Sequence, residues 1–243
     1  MIIVMASAVD PHAAALLPHF RKLEARLLTP ADLSHRGWVV RTDRPLGGCL
    51  VAGGERIALD HVQGVVSLLP AVFPQELVAI EEPARAYAAQ EMTAFLRYVL
   101  TSLPCPVLNQ ATAGSLCGPL WRPERWLQVA ASCGIATDVW HRRSGDALEA
   151  QTDEGLVTMT LIGNEMVDRS FNHFRVIMRT LARAASVGML SARFRLSDRG
   201  PLFCGADVCP QLSGPRAAAL IEKYFVRLKR NEGVKLSEAN KVN

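Results

Sequence analysis

Between Leu23 and Glu222 this 243-residue sequence contains no lysine. Its lysines stand at 22, 223, 229, 235 and 241, and arginine carries the positive charge everywhere else. Any chemistry in the body of the protein therefore has to proceed without a lysine. Metal-binding spacings are missing too. The cysteines at 49, 105, 117, 133, 204 and 209 form no CxxC pair, and the six histidines supply neither HxxxH nor HExxH. That excludes the zinc and iron–sulfur signatures and leaves the cysteines as small packed thiols, reduced in a cytosolic chain. No apolar run reaches the length that spans a bilayer. The apolar N-terminus, Met1 to Ala8, has no basic n-region and runs at once into Asp10, so it reads as a buried strand and not as a signal peptide. A net charge of +4 is too mild and too dispersed for a nucleic-acid surface. The composition, 49% apolar and 21% charged, is that of a cytoplasmic globular chain with no nucleic-acid or membrane partner.

The patterns that are present describe alternating strands and helices. Ile2 to Met5 predicts a short buried strand. Asp10-Pro11 is an N-cap followed by proline at N1, and Ala13 to Leu23 fits a helix. Arg26 to Leu28 continues as a strand, a β-α-β opening that predicts a parallel sheet. Gly37 to Arg41 and Arg56 to Leu59 read as short β segments punctuated by Gly47-Gly48 and Gly53-Gly54. Gly64 to Leu69 is a continuous apolar run, as expected of a central strand. Pro83 to Leu103 has helical periodicity and Pro104 ends it. Pro106 to Asn109 predicts a strand, and Pro119 to Cys133 a helix stopped by Gly134. After a polar segment, Arg142 to Glu154, a hairpin is predicted across Gly163-Asn164. Helices are predicted over 174–187 and 215–229. Between them, Leu190 to Leu196 and Leu202 to Val208 should pair across Asp198-Arg199-Gly200. The polar tail, 231–243, should fray.

This order of pieces resembles the ATP-grasp ligases of the graspetide (microviridin-type) and ribosomal-protein-glutamate-ligase groups. The residues that carry the resemblance run along the chain. They are the β-α opening, Gly54-Glu55-Arg56-Ile57-Ala58-Leu59-Asp60, Val65 to Leu69, Tyr87-Ala88-Ala89-Gln90-Glu91, and Val107-Leu108-Asn109. Arg122-Pro123-Glu124-Arg125-Trp126 resembles the family's "Lys-Pro" helix, and Gly134 to Asp138 its exit. Val157 to Val167, Leu190 to Leu196 and Phe203 to Pro210 resemble the later strands. The resemblance implies an α/β fold. A Rossmann-like parallel pre-ATP-grasp domain, 1–111, would precede a truncated α+β ATP-grasp-like lobe, 112–243.

The departures carry the functional expectation. The family's long central segment, with its phosphate-binding lysine and Gly-rich loop, corresponds here to the short stretch between Trp140 and Leu156. The lysine of the "Lys-Pro" helix falls at Arg122. The acidic residue of the penultimate strand falls at Arg195, and "Glu-x-Asn-Pro" falls at Asp207-Val208-Cys209-Pro210. Magnesium wants hard oxygen ligands, so a sulfur at 209 and a cation at 195 are poor substitutes. The nucleotide and metal positions Arg122, Arg195, Asp207 and Cys209 are therefore expected to be vestigial, with Asp207 paired to Arg195. Trp121, Trp126 and Trp140 read as packing residues. The expected function is non-catalytic: a peptide- or protein-binding scaffold subunit in a modification pathway. Its partner would be a protein, a peptide or a second copy of the chain, through residues 138–210. The alternative is an ATP- and magnesium-dependent carboxylate ligase whose site is altered or completed by a partner chain.

Overall fold

The computed structural model describes residues 1–41, 43, 47–138, 155–197 and 200–239, with side chains as far as Leu228. The chain forms two compact units: 1–119 together with 211–243, and 120–210.

The first unit opens as its sequence predicts. Strand β1 (Ile2–Met5) is followed by helix α1 (Pro11–Leu16), with Asp10 as N-cap. The Asp10 carboxylate accepts from the backbone N–H groups of His12, at 2.9 Å, and Ala13, at 3.3 Å. The predicted helix to Leu23 is cut short. Proline at 18 has no N–H to give to the α ladder, and the chain tightens into a 3-10 turn over Leu17–His19. Strand β2 (Ala25–Leu28) then pairs with β1 in parallel.

A two-stranded antiparallel ribbon follows, β3 (Cys49–Ala52) and β4 (Glu55–Ala58), turning at Gly53-Gly54. Both glycines have positive φ, the backbone that a two-residue hairpin turn demands. Buried Asp32 anchors this turn. One of its oxygens accepts from Gly54 N–H and the other from Thr29 N–H, each at 2.9 Å. Of the predicted strand 37–41, only a bridge between Val39 and Cys49 is seen.

Strand β5 (Gly64–Ser67), helix α2 (Glu82–Ser102) and strand β6 (Val107–Leu108) complete a parallel sheet of order β2-β1-β5-β6. Ile2 to Met5, Val65 to Ser67 and Val107-Leu108 thus share one sheet, as their apolar runs predict. The loop after β6 closes over β5: Ser67 Oγ donates to Leu116 O at 2.7 Å, and Leu116 N–H donates to Pro70 O at 2.9 Å.

The second unit starts with helix α3 (Pro123–Ser132). Strands β7 (Leu156–Ile162) and β8 (Glu165–Met166) form the hairpin across Gly163-Asn164. Helix α4 (Arg175–Ala184), strand β9 (Met189–Ser197) and strand β10 (Gly200–Asp207) follow. The sheet is antiparallel, in the order β10-β9-β7-β8. On its apolar face Met159, Leu161, Leu190, Phe194 and Phe203 are buried, while Leu196 at the far end of β9 is 49% exposed. Phe174, Phe194 and Phe203 form an aromatic chain across it, with centroids 5.5 and 5.6 Å apart. Helices α3 and α4 shield these strands. Most of the apolar runs that pointed to an uncovered interface are therefore covered within their own unit, with Leu196 left exposed. Trp140, Arg142 and Arg143 lie outside the described residues, as do the turn residues Asp198 and Arg199.

Helix α5 (Gly214–Ala239) belongs to the first unit, where the sequence placed it with the C-terminal lobe. It runs ten residues beyond the predicted end at 229, as helix through most of the polar tail. Its inner face buries Ala217, Ala218, Leu220, Ile221 and Phe225. No described helix is long and apolar enough to cross a membrane.

Candidate functional site

Side chains alternate across a strand, so each face of the second unit's sheet can be read from its register. On β9 the face opposite Phe194 carries Ser191, Arg193 and Arg195. The register sets Thr160 of β7 against Ser191, and Thr158 against Arg193. On the other side of β9, Asp207 of β10 stands against Ser191, and Leu202 against Arg195. A polar face results, with two guanidinium groups, three hydroxyls and one carboxylate. Thr160 and Ser191 hydrogen-bond to each other through their hydroxyls.

Strand β10 is bulged on this face. Phe203 pairs with Phe194 and Gly205 with Arg193, so Cys204 has no partner across β9. Bulges bend a strand and re-aim its side chains. Gly205 has φ +150° and lies close to Arg193, whose terminal nitrogen is 3.3 Å from where a Cβ on Gly205 would sit. On the outer edge of β10, Asp138 N–H donates to Phe203 O at 2.9 Å, and Phe203 N–H donates to Ala136 O at 2.8 Å. Asp138 is thereby fixed beside the bulge.

Arg195, Asp138 and Cys204 meet there. Arg195 Nε lies 3.1 Å from Asp138 Oδ2, an ion pair by distance without hydrogen-bond alignment. The Cys204 thiol donates toward the same Oδ2 at 3.6 Å. Burial pushes this thiol above its ordinary pKa, the Asp138 charge adds to that, and hydrogen bonding with Arg195 opposes it. Cys204 is consequently a protonated, inert thiol at neutral pH.

The sequence expected Arg195 to pair with Asp207, and the structure corrects this. The two stand about 13 Å apart along the strands, four residues in register. Asp207 turns back instead and accepts from Cys209 N–H at 2.8 Å. Asp207 and Cys209 are thus brought together, with Arg195 on the same sheet. Arg122 is not with them. It is the exposed N-cap of α3, in the helical layer, and its side chain makes no cap hydrogen bond. Trp121 and Trp126 pack against each other nearby with their rings tilted by 59°, centroids 4.8 Å apart, and Arg125 lies over the Trp121 ring. Sequence reasoning passed over Asp138 and Arg193, and with them the hydroxyls of Thr158, Thr160 and Ser191. A visible signal for Asp138 was its place at the exit of the "Lys-Pro" helix.

No protein-family model matches the chain, and no curated protein matches it. Solved structures do. The macrocyclase MdnC of Microcystis aeruginosa MRC, bound with precursor peptide MdnA, superposes with a TM-score of 0.67 at 10% identity, over 91% of this chain and 98% of that one. The ATP-grasp ligase PsnB, complexed with a phosphomimetic variant of minimal precursor, Mg and ADP, superposes with 0.63 at 12% identity, over 92% and 98%. A RiPP-associated ATP-grasp ligase of Chryseobacterium gregarium, in complex with ADP and a leader and core peptide, gives 0.59 at 9% identity, over 86% and 89%. The chain has the fold of the ATP-grasp ligases. Against that fold, the donor set on the polar face is a poor match for a magnesium ion. Arg195 puts a cation at the face, and its neighbour Asp138 is paired with it. Among the described residues no group of three His, Cys, Asp or Glu side chains is placed to hold a metal.

Proposed function

We propose that this chain is a non-catalytic ATP-grasp-fold protein that binds a peptide in a peptide-modification pathway. The observation that carries the reading is the Asp138–Arg195 pair. Arg195 stands where the resembled ligases set an acidic residue. Its charge is matched from within the fold, so the position serves the protein's own packing. Asp207, the carboxylate that keeps metal-ligand chemistry, is engaged by Cys209 N–H. The peptide half of the reading draws on neighbours solved with precursor peptides. Self-association drew its support from uncovered strands. Most of those strand residues are buried in their own unit, so the reading keeps a peptide as the partner.

A second reading is an ATP-dependent ligase completed by a partner chain. It draws on the neighbours solved with ADP, one of them with Mg. Melting and calorimetry of the full chain separate the two. The probes are magnesium–ATP and synthetic peptides from short reading frames adjoining the gene. A ligand at a hundred times its Kd stabilises the fold by about 2.7 kcal/mol. The expected result is such a shift with one of the peptides and none with millimolar magnesium–ATP. A rise of several degrees with magnesium–ATP would promote the ligase.

A further inference from the structure

A groove of about 420 Å³ lies in the first unit, between α2 and the loop that leaves the carboxyl end of β5. In parallel α/β sheets, ligands gather at that end of the strands. Alanines 71, 86, 89 and 94 line it, with Val72 and Pro74, so it is apolar and shallow-sided. Its polar lining is short. The Thr93 hydroxyl is already used, accepting from Val72 N–H at 3.0 Å and donating to Ala89 O at 2.8 Å. Gln90 and Arg97 remain. The Nε of Arg97 is out of contact with water and has no hydrogen-bond partner among the described residues. Among the described residues no acidic side chain lines the groove, and the nearby carboxylate of Glu76, two residues beyond Pro74, is buried. Around it, Phe73, Tyr87 and Tyr98 are exposed, each the chain neighbour of a lining residue. Exposed aromatics beside an arginine are the composition of a protein-binding hot spot.

We propose that this groove binds an acidic peptide segment, with an aliphatic side chain on the alanine floor and a neighbouring carboxylate on Arg97. The small lining residues leave room for a branched side chain that the protein itself does not supply. The guanidinium selects the carboxylate by a charge-assisted hydrogen bond. The inference rests on the peptide-binding reading above and names the class of peptide and its place.

The test uses the full chain. A random displayed-peptide library is selected against it, and the recovered peptides are made with a fluorescent label. They are titrated into the wild type and into Arg97→Gln, Arg97→Lys and Ala94→Trp. Ala94 is exposed and Arg97 Nε has no internal partner, so all three variants should melt as the wild type does. The expected peptides place Asp or Glu next to Leu, Ile or Val. Their affinity should fall about tenfold or more in Arg97→Gln and Ala94→Trp, and less in Arg97→Lys. Replacing the peptide's own carboxylate by its amide should cost the same. Peptides that bind every variant equally would overturn the groove and leave the peptide-binding reading standing. A library that yields no binding peptide would overturn both. A dimer in light scattering that Ala94→Trp splits would give the groove to a second copy and overturn the proposal.

Discussion

Cys204 shows how far one side chain's chemistry is set by its neighbours. Desolvation holds its thiol above the ordinary value of 9.0, the Asp138 carboxylate pushes the same way, and hydrogen bonding with Arg195 pulls against both. Asp138→Asn should therefore speed alkylation of Cys204 at pH 8 by about threefold, and Arg195→Gln should slow it. Peptide-level mass spectrometry after a timed iodoacetamide pulse reads both rates, and equal rates in the three proteins would refute the assignment. The folded state binds this proton more tightly than the unfolded one. The stability it contributes is complete below the unfolded pKa and is lost as pH rises through the folded one, so the window lies above about pH 9. The ion pair is partly exposed and contributes only about 0.5–1 kcal/mol. Its placement was hidden from the sequence, because Arg195 reaches past β10 to a residue on the far edge of the sheet. A pattern read along one strand cannot show that reach. Asp207 looked like the natural partner because it shares the hairpin, yet register separates them.

The elements were legible where a single local force decided them. β1, β5 and β6 are continuous apolar runs, and only a sheet covered on both faces buries such runs. α2 follows its periodicity to within a residue at each end. α1 was read too long because apolar spacing continues past Pro18, and the missing N–H at that residue outweighs it. The home of α5 was illegible, since its partners lie some two hundred residues away. The Glu222 carboxylate, 2% exposed, accepts from three consecutive backbone N–H groups, those of Arg21, Lys22 and Leu23. Three donors converging on one oxygen form an anion nest that the helix fills from within. Glu222→Ala should destabilise the fold by about 3 kcal/mol, and Glu222→Gln by about half of that, because the amide still accepts without charge. On the same helix, Phe225 packs so closely on Gly64 that a Cβ there would overlap its ring. Gly64→Ala should cost about 2 kcal/mol or more. Urea melts of these variants check all three, and a neutral Glu222→Ala would show that α5 is held by its apolar face alone.

At the scale of the molecule, the first unit is discontinuous, completed by a helix that arrives only after the second unit has been made. Two chain ends therefore have different consequences. A chain ending at Pro210 loses all of α5. It exposes the surfaces that Leu220, Ile221 and Phe225 cover, each at most 3% exposed in the full chain. Burial of three such side chains stabilises by on the order of 5–9 kcal/mol, and a whole domain is stable by about 5–15 kcal/mol. The three N–H groups that Glu222 serves would be left without their acceptor as well. A chain ending at Leu228 keeps every one of these contacts. The sheet of the second unit is covered by that unit's own α3 and α4. The chain ending at Pro210 should then show native resonances from 120–210 only, with the environment of Trp38, packed edge-on against Phe95 in the first unit, lost. The chain ending at Leu228 should keep both sets and melt cooperatively. Amide spectra and near-ultraviolet dichroism of the two truncations decide it. Native first-unit signals in the chain ending at Pro210 would mean that the parallel sheet folds on α1 and α2 alone and that α5 is an accessory to it.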